Sequence, residues 1–100
     1  MTTAYIAVPR DAAADLAHAL VEEELAACVN RVDGRSAYRW DGEVHDDAEA
    51  ILLAKTTAER YPALADRAED LHPHDVPCIE RFDEADVDAA FGDWVADVVA

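Results

Sequence analysis

The pair Asp41-Gly42 most restricts the fold, because it separates two long segments that both have the character of β-strands. An Asp-Gly pair favours a two-residue turn in which both residues adopt positive φ, and such a turn joins antiparallel strands. Residues 36–56 are therefore predicted to form a hairpin. Its outgoing arm contains the apolar run AILLA at 50–54, which predicts a central strand that is covered on both faces.

Strand and helix patterns alternate through the rest of the chain. Apolar segments bounded by turn residues predict further strands at 3–9, 26–32 and 76–82. Helical spacing of apolar residues predicts helices at about 12–25, 58–71 and 85–99. Asp11 and Thr57 are placed to cap the first two helices. A turn is predicted around the Asp-Gly-Arg sequence at 33–35, between the second strand and the hairpin.

The predicted order of elements, β-α-β-β-α-β-α, is that of an α+β, ferredoxin-like sandwich with an extra C-terminal helix. One hundred residues form a single domain, 1–100. Right-handed crossovers place the first and third strands in the middle of the sheet and the second and fourth at its edges. Cys28 and Cys78 then lie at opposite edges, too far apart for an intrachain disulfide. Exposed edges favour strand pairing between subunits.

Acidic residues dominate the composition, with 23 Asp and Glu against eight Lys and Arg and a net charge of −15. Such a surface repels nucleic acid and anionic membranes, so neither is expected as a partner. The charge indicates a halophilic protein, because at about 1 M salt the screening length is only about 3 Å and crowded carboxylates barely repel one another. Acidic residues are therefore weak indicators of a functional site in this chain.

The remaining composition argues against several classes of protein. No apolar stretch is long enough to span a membrane, and the N-terminal residues lack the basic and apolar regions of a signal peptide. With two cysteines, the chain is predicted to be cytoplasmic with free thiols. Three isolated glycines and a single serine, Ser36, provide neither a phosphate-binding loop nor a nucleophile with its base. An enzyme is not expected.

Three segments together resemble the CutA family of divalent-cation-tolerance proteins. They are LVEEELAACVNRV at 20–32, SAYRWDGEVHDDAEAILLAKTT at 36–57 and LHPHDVP at 71–77. The order and spacing of these segments match the family over nearly the whole chain. Two positions depart from its pattern: Cys78 stands where the family usually has Glu, and residues 83–94 replace a loop that contains glycine.

The resemblance implies a ferredoxin-like protomer in a PII-like homotrimer, built by joining sheet edges and long hairpins. It also implies a link to copper and other divalent cations, and no enzymatic reaction comes with it. PII proteins bind small effectors in clefts between subunits. A PII-like effector-binding module, or a purely structural trimer, is therefore an alternative to a metal-binding protein.

The segment from His72 to Cys78 holds the main candidates for metal ligation. His72 and His74 lie on one side if the segment is extended, and Pro73 biases His72 away from helix. The two histidines could ligate a metal ion, and His72 is the better candidate of the two. In the alternative interpretation they are parts of a turn, with the His72 ring against the last carbonyls of the preceding helix and His74 only packing.

Four further residues are candidates for ligation, effector binding or assembly. Cys28 is either a small buried hydrophobe or a metal ligand, and it could meet Cys78 only across a subunit boundary; thiolates favour Cu(I). Lys55, the only lysine, either pairs with a nearby acid or contacts an anionic ligand in an intersubunit cleft. Tyr38 and Trp40 share one face of the hairpin and are predicted to pack against a neighbouring subunit.

Overall fold

The computed structural model describes residues 1–100 and confirms the predicted order of elements. They are β1 (Thr2–Pro9), a 3₁₀ turn (Arg10–Ala12), α1 (Ala13–Glu22), β2 (Cys28–Trp40), β3 (Glu43–Thr56), α2 (Tyr61–Leu71), β4 (Cys78–Asp83) and α3 (Ala89–Val98). None of the helices is both long and apolar enough to cross a membrane.

The four strands form one antiparallel sheet in the order β2-β3-β1-β4. The prediction that the first and third strands are central is confirmed. Cys28 on β2 and Cys78 on β4 lie at opposite edges, and both are free thiols. Each edge leaves a row of backbone groups without a partner strand in the protomer.

The hairpin turns at Asp41 and Gly42, whose φ values of 53° and 78° confirm the predicted turn. The predicted turn at 33–35 is wrong, because β2 continues without interruption from Cys28 to Trp40. Gly34 lies directly opposite Glu49 in the ladder and does not have a positive φ. Pairing with the long strand β3 therefore overrides the local turn preference of this segment.

The first helix differs from its prediction at both ends. Residues 10–12 form a 3₁₀ turn, so Asp11 lies inside that turn, and no side chain caps α1. The helix ends at Glu22 instead of near Leu25, because Glu24 adopts a left-handed φ of 58°. The third helix is shorter than predicted and begins after Asp88, whose carboxylate accepts a hydrogen bond from the Phe91 N–H.

The main core lies between α1, α2 and one face of the sheet. Its fully buried members include Ile6, Leu20, Leu52 and Leu64, and burial of each such side chain contributes about 1.5–3 kcal/mol. Alternation along the strands directs every second residue to the opposite face, which we call the open face. On that face, Ile51 and Leu53 of β3 are only half-buried.

Coverage of β3 therefore differs from the prediction for residues 50–54. Only the face toward α1 and α2 is fully buried, because no helix of this protomer closes the other face over Ile51 and Leu53. The third helix contacts β3; its Val95, and Val99 directly after its end, are buried outside the main core. The rest of the open face remains accessible.

Candidate functional site

A cleft of about 540 Å³ lies on the open face, where all four strands and residues 73–76 contribute to its wall. The side chains with functional groups that line it are Tyr5, Ser36, Tyr38, Trp40, Glu49, His74, Asp75 and Cys78. A smaller cavity of about 250 Å³ adjoins it and shares three of these residues, Tyr38, Glu49 and His74. The volume of the larger cleft, about 540 Å³, lies within the range of roughly 300–1,000 Å³ that is usual for small-molecule sites.

Strand alternation explains how the hairpin contributes to the cleft. Ser36, Tyr38 and Trp40 are alternate residues of β2 and so share its open face. The prediction that Tyr38 and Trp40 lie on one face is confirmed. Both aromatic rings remain partly exposed, at 37% for Tyr38 and 52% for Trp40.

A set of polar contacts fixes the ring of Tyr38. Its hydroxyl donates a hydrogen bond to Asp47 Oδ2 at 2.5 Å, and its ring stacks on His45 with a centroid distance of 5.3 Å. The pKa of Tyr38 is raised, mainly because this hydrogen bond holds the phenol proton; desolvation and the negative charges of Asp47 and Glu49 raise it further. The phenol therefore stays a hydrogen-bond donor well into the alkaline range.

His72 is buried, and both of its ring nitrogens are engaged. Its Nε2 lies 2.8 Å from the carbonyl oxygen of Ala7 and its Nδ1 accepts a hydrogen bond from the His74 N–H at 3.1 Å. This pattern requires a neutral ring that carries its proton on Nε2. To ligate a metal ion, His72 would have to give up one of these bonds.

The contacts of His72 differ from the predicted ring interaction with the end of the helix. The backbone N–H of His72 caps α2 by bonding the Ala68 carbonyl at 2.9 Å, whereas the ring bonds β1. The backbone leaves the helix in an extended conformation at His72, with φ −74° and ψ 133°, and that conformation directs the ring toward the sheet. The ring therefore anchors the turn to a central strand.

His74 and Cys78 are the free donors of this segment. The His74 ring lies 5.0 Å from that of His72 between centroids, lines the cleft and makes no side-chain hydrogen bond. Cys78 is exposed and lines the same cleft. A nitrogen and a thiol thus face one space without competing protein partners.

Cys28 lies on the same face but at the other edge. The ladder places Cys28, Lys55, Thr3 and Phe82 in one row across the sheet, and places Cys78 beside Ala7 in another. Three interstrand spacings of about 4.8 Å put Cys28 roughly 14 Å from β4, so the two thiols do not meet within a protomer. Burial raises the pKa of the Cys28 thiol, and the positive charge of Lys55 opposes that shift.

Lys55 stands between Cys28 and Thr3 on the open face but is not part of the cleft wall. The four ion pairs of the protomer do not include it. The hydroxyl of Thr3 bonds Glu84, whose other oxygen, Oε2, is buried without a partner. A partner for Lys55 must come from outside the protomer or from a side-chain rearrangement.

Metal-ligating side chains do not form a complete set within one protomer, since no three His, Cys, Asp or Glu residues come together as a group that could hold an ion. Sequence reasoning also missed Glu49, which is only 8% exposed and lies on the wall shared by both cavities. Among 23 acidic residues, one buried carboxylate has no distinguishing local pattern. Only the strand register reveals it.

The sheet order, the helices on one face and the long hairpin define a ferredoxin-like α+β protein of the PII-like class. The family description "CutA1 divalent ion tolerance protein" matches residues 2–98. The chain belongs to this family, as its three sequence segments predicted.

Individual relatives agree with this assignment. The divalent-cation tolerance protein CutA of Thermus thermophilus is 48% identical over 92 residues, which cover 90% of this chain and 89% of the relative. The apo form of the PII-like protein CutA from Nostoc superimposes with a TM-score of 0.96 at 29% identity, covering 100% and 98% of the two chains. A protein from Archaeoglobus fulgidus, described as a periplasmic divalent cation tolerance protein CutA, gives a TM-score of 0.95 at 29% identity and covers all of both chains.

Proposed function

We propose that this member of the divalent ion tolerance family is a non-enzymatic homotrimer that binds copper or other divalent metal ions at the boundaries between its subunits. The observation that carries the proposal is the placement of the two free thiols. Cys28 and Cys78 lie on the same face of the sheet, at its two unpaired edges. Pairing of β2 from one copy with β4 of the next would bring unlike edges together, and a register that sets Cys28 opposite Cys78 would bring the two cysteines together.

The chemistry of the donors supports a soft or borderline metal ion. Thiolates favour Cu(I), and imidazole suits copper and zinc. We propose Cys28, Cys78 and His74 as ligands, while His72 holds the turn through its bonds to Ala7 and His74. Because burial raises the pKa of Cys28, ion binding must displace its proton, and affinity should increase with pH.

The assembly that this site requires can be tested directly. Light scattering in concentrated KCl should give a mass three times that of the 10.9 kDa chain. The unpaired edges and the exposed Val32 and Phe82 support such an assembly. A single species of 10.9 kDa would leave no boundary at which the ligands could meet.

Metal binding is tested by calorimetric titration of Cu(I), Cu(II) and Zn(II) in high salt, with an excess-chloride control because chloride competes for copper. We expect wild type to bind Cu(I) most tightly, and Cys28→Ala/Cys78→Ala to lose that binding. Ser36→Ala, a change on the same face that removes no proposed ligand, should bind as wild type does. Equal Cu(I) affinity in wild type and the double variant would refute the proposed ligand set.

A second candidate function is the binding of a small effector, as in PII-like proteins. The cleft of about 540 Å³ and the close match to a relative described as PII-like favour it. An anionic effector would have to reach Lys55, which lies outside the cleft wall. A thermal-shift screen with nucleotides tests this candidate, and absence of any stabilising anion would count against it.

The charge of the chain bears on its cellular location and on the partners that it can bind. The charge of −15 fits a halophilic cell interior, where molar salt screens carboxylate repulsion, and we propose a cytoplasmic location there. The same charge disfavours nucleic acid and anionic membranes as partners. Fractionation of the native cells, with the protein detected in the soluble cytoplasmic fraction or outside the cell membrane, decides the location.

A further inference from the structure

We propose that Lys55 and Glu84 form a charge pair that determines which metal ions the Cys28 thiol accepts. The inference rests on the proposed function, because it concerns the selectivity of the same site. Lys55 distinguishes ions by their charge, and Glu84 controls the charge of Lys55; neither residue is itself a metal ligand. The pair lies within one protomer, so it does not require the open face to be free of a neighbouring subunit.

One carboxylate oxygen of Glu84, Oε2, is buried without a hydrogen-bond partner, and no other buried side-chain nitrogen or oxygen of the protomer lacks one. The other oxygen, Oε1, accepts a hydrogen bond from the hydroxyl of Thr3, and the Glu84 N–H donates to the Met1 carbonyl at 3.4 Å. These two contacts hold the carboxylate beside β1. Because a buried polar atom without a partner is costly, we expect Oε2 to acquire a donor.

Lys55 is placed to provide that donor. It lies directly opposite Thr3 in the ladder between β1 and β3, so the two side chains share the open face with Cβ atoms about 4.5–5.5 Å apart. Its ammonium group belongs to none of the four ion pairs of the protomer. The side chain is long and flexible, so a change of rotamer brings the ammonium to the carboxylate that Thr3 binds.

Other acids near this position are less suitable partners for Lys55. The row across the sheet that contains Lys55 holds no acid. Asp83, which precedes Glu84, lies opposite Thr2 on the other face and is already bonded to Thr2 and Arg81. Glu84 is therefore the acid that the fold offers to Lys55.

Lys55 also has Cys28 as its neighbour on the other side, directly opposite in the ladder between β2 and β3. Burial raises the pKa of the Cys28 thiol, and the positive charge of Lys55 works against that rise. The lysine charge therefore acts on the sulfur that the proposed function assigns to a metal ion. The effect on that sulfur is greatest when the ammonium is unpaired and least when Glu84 neutralises it.

The charge of the bound ion determines how strongly Lys55 affects it. When a thiol binds a metal ion, the sulfur–metal bond forms, the S–H bond breaks and the proton passes to solvent. For the same number of protons released, a site with Cu(II) or Zn(II) carries one more positive charge than a site with Cu(I). An unpaired ammonium group beside the sulfur therefore disfavours the divalent ion relative to Cu(I), and the carboxylate of Glu84 removes that discrimination.

A double-mutant cycle without metal tests whether the pair forms. Denaturant unfolding is measured in high salt with a chelator, at one protein concentration, for Lys55→Gln, Glu84→Gln and the double variant. We expect the two changes to be non-additive, because each removes the partner of the other. Asp86→Asn removes an exposed acid near Glu84 that takes part in no ion pair, and should add to Lys55→Gln without coupling. Additive effects of Lys55→Gln and Glu84→Gln would overturn the pair.

Calorimetric titration of Cu(I) and of Zn(II) at one pH and one salt concentration tests the selectivity. Glu84→Gln should raise the ratio of Cu(I) to Zn(II) affinity by about threefold or more, and Lys55→Gln should lower it. The double variant is neutral, as the pair is, and should return to the wild-type ratio, which a merely structural role for either residue would not restore. Lys55→Arg keeps the charge and should keep the ratio.

The outcomes distinguish this proposal from the proposed function. A ratio that is unchanged in both single variants, or that moves in the same direction in both, would refute the charge pair while metal binding stands. Failure of wild type to bind either ion would refute the proposed function and the selectivity together.

Discussion

The Nε2 atom of His72 lies 2.8 Å from the carbonyl oxygen of Ala7, so a side chain at the end of α2 is fixed to the central strand β1. The other ring nitrogen accepts a hydrogen bond from the N–H of His74. These two bonds set the path of residues 73–76, which form one wall of the cleft. His72, the histidine that looked most like a metal ligand in the sequence, therefore has a structural role: its ring fixes the turn after α2 to β1.

Replacement of His72 by Phe should destabilise the protein. The variant keeps an aromatic ring but leaves the Ala7 carbonyl and the His74 N–H without their partner, which should lower the free energy of unfolding by about 1–3 kcal/mol. Denaturant unfolding at one fixed protein concentration in high salt measures the change. His74→Phe is the control, because that exposed ring makes no hydrogen bond. Equal stability of the two variants would show that the ring bonds contribute little.

The two glycines of the hairpin should respond in opposite ways to alanine. Gly42 has φ +78°, so Gly42→Ala should lose about 1–2 kcal/mol from backbone strain. Gly34→Ala meets no atom within 4 Å and has no positive φ, so it should be neutral or stabilising by up to about 1 kcal/mol. Thermal unfolding of both variants beside wild type measures the difference. A loss of stability in Gly34→Ala would indicate that another chain approaches β2 at this point.

Local signals account for the parts of the fold that the sequence predicted. The Asp41-Gly42 turn and the helical periodicity after Asp88 depend on neighbouring residues alone, so both features can be identified from short segments. The turn predicted at 33–35 was wrong because the state of Gly34 depends on its pairing with Glu49, a contact across the hairpin. The sequence of β2 alone does not show whether its local turn preference or its pairing with β3 will prevail.

The candidate site was less predictable for the same reason. His74, Cys78, Tyr38 and Trp40 were identified by residue type, and the structure brings all four to one cleft. Glu49 was missed because its importance arises from what lies beside it: a glycine and a proline that cannot pair with it. In a chain with 23 acids, burial distinguishes this residue, and residue type does not.

The raised pKa of Tyr38 predicts a stability change in alkaline solution. A group whose folded pKa lies above its usual value of 10.0 contributes stability that is fully present below about pH 10 and is lost as pH rises through the folded pKa. Asp47→Asn should move the Tyr38 titration toward lower pH, because the hydrogen bond to Asp47 is the largest cause of the shift.

Phenolate absorbance follows this titration in a background where Tyr5→Phe and Tyr61→Phe leave Tyr38 as the only tyrosine. Asp46→Asn is the matched control, since Asp46 pairs with Arg35 and not with Tyr38. If Asp47→Asn and Asp46→Asn shift the titration equally, general charge and not the hydrogen bond controls the phenol.

The last prediction concerns salt, and it follows from how few of the carboxylates are compensated. Four ion pairs serve 23 acids, and association of three copies would concentrate the remaining negative charge. At about 0.1 M salt the screening length reaches about 10 Å, against about 3 Å at about 1 M. The melting temperature should therefore fall, or the assembly dissociate, as KCl is lowered toward about 0.1 M.

Removal of exposed acids should lessen this dependence if repulsion is its cause. Glu22→Gln, Glu59→Gln and Asp97→Asn, combined in one chain, change acids that are exposed and take part in no ion pair. The triple variant should keep its melting temperature and its mass by light scattering at lower KCl than wild type does. Potassium glutamate at equal ionic strength should protect wild type as KCl does, because screening depends on ionic strength and not on the anion. A melting temperature that stays constant from dilute buffer to molar KCl would mean that the acidic surface does not limit stability, and the halophilic interpretation of the charge would lose its physical basis.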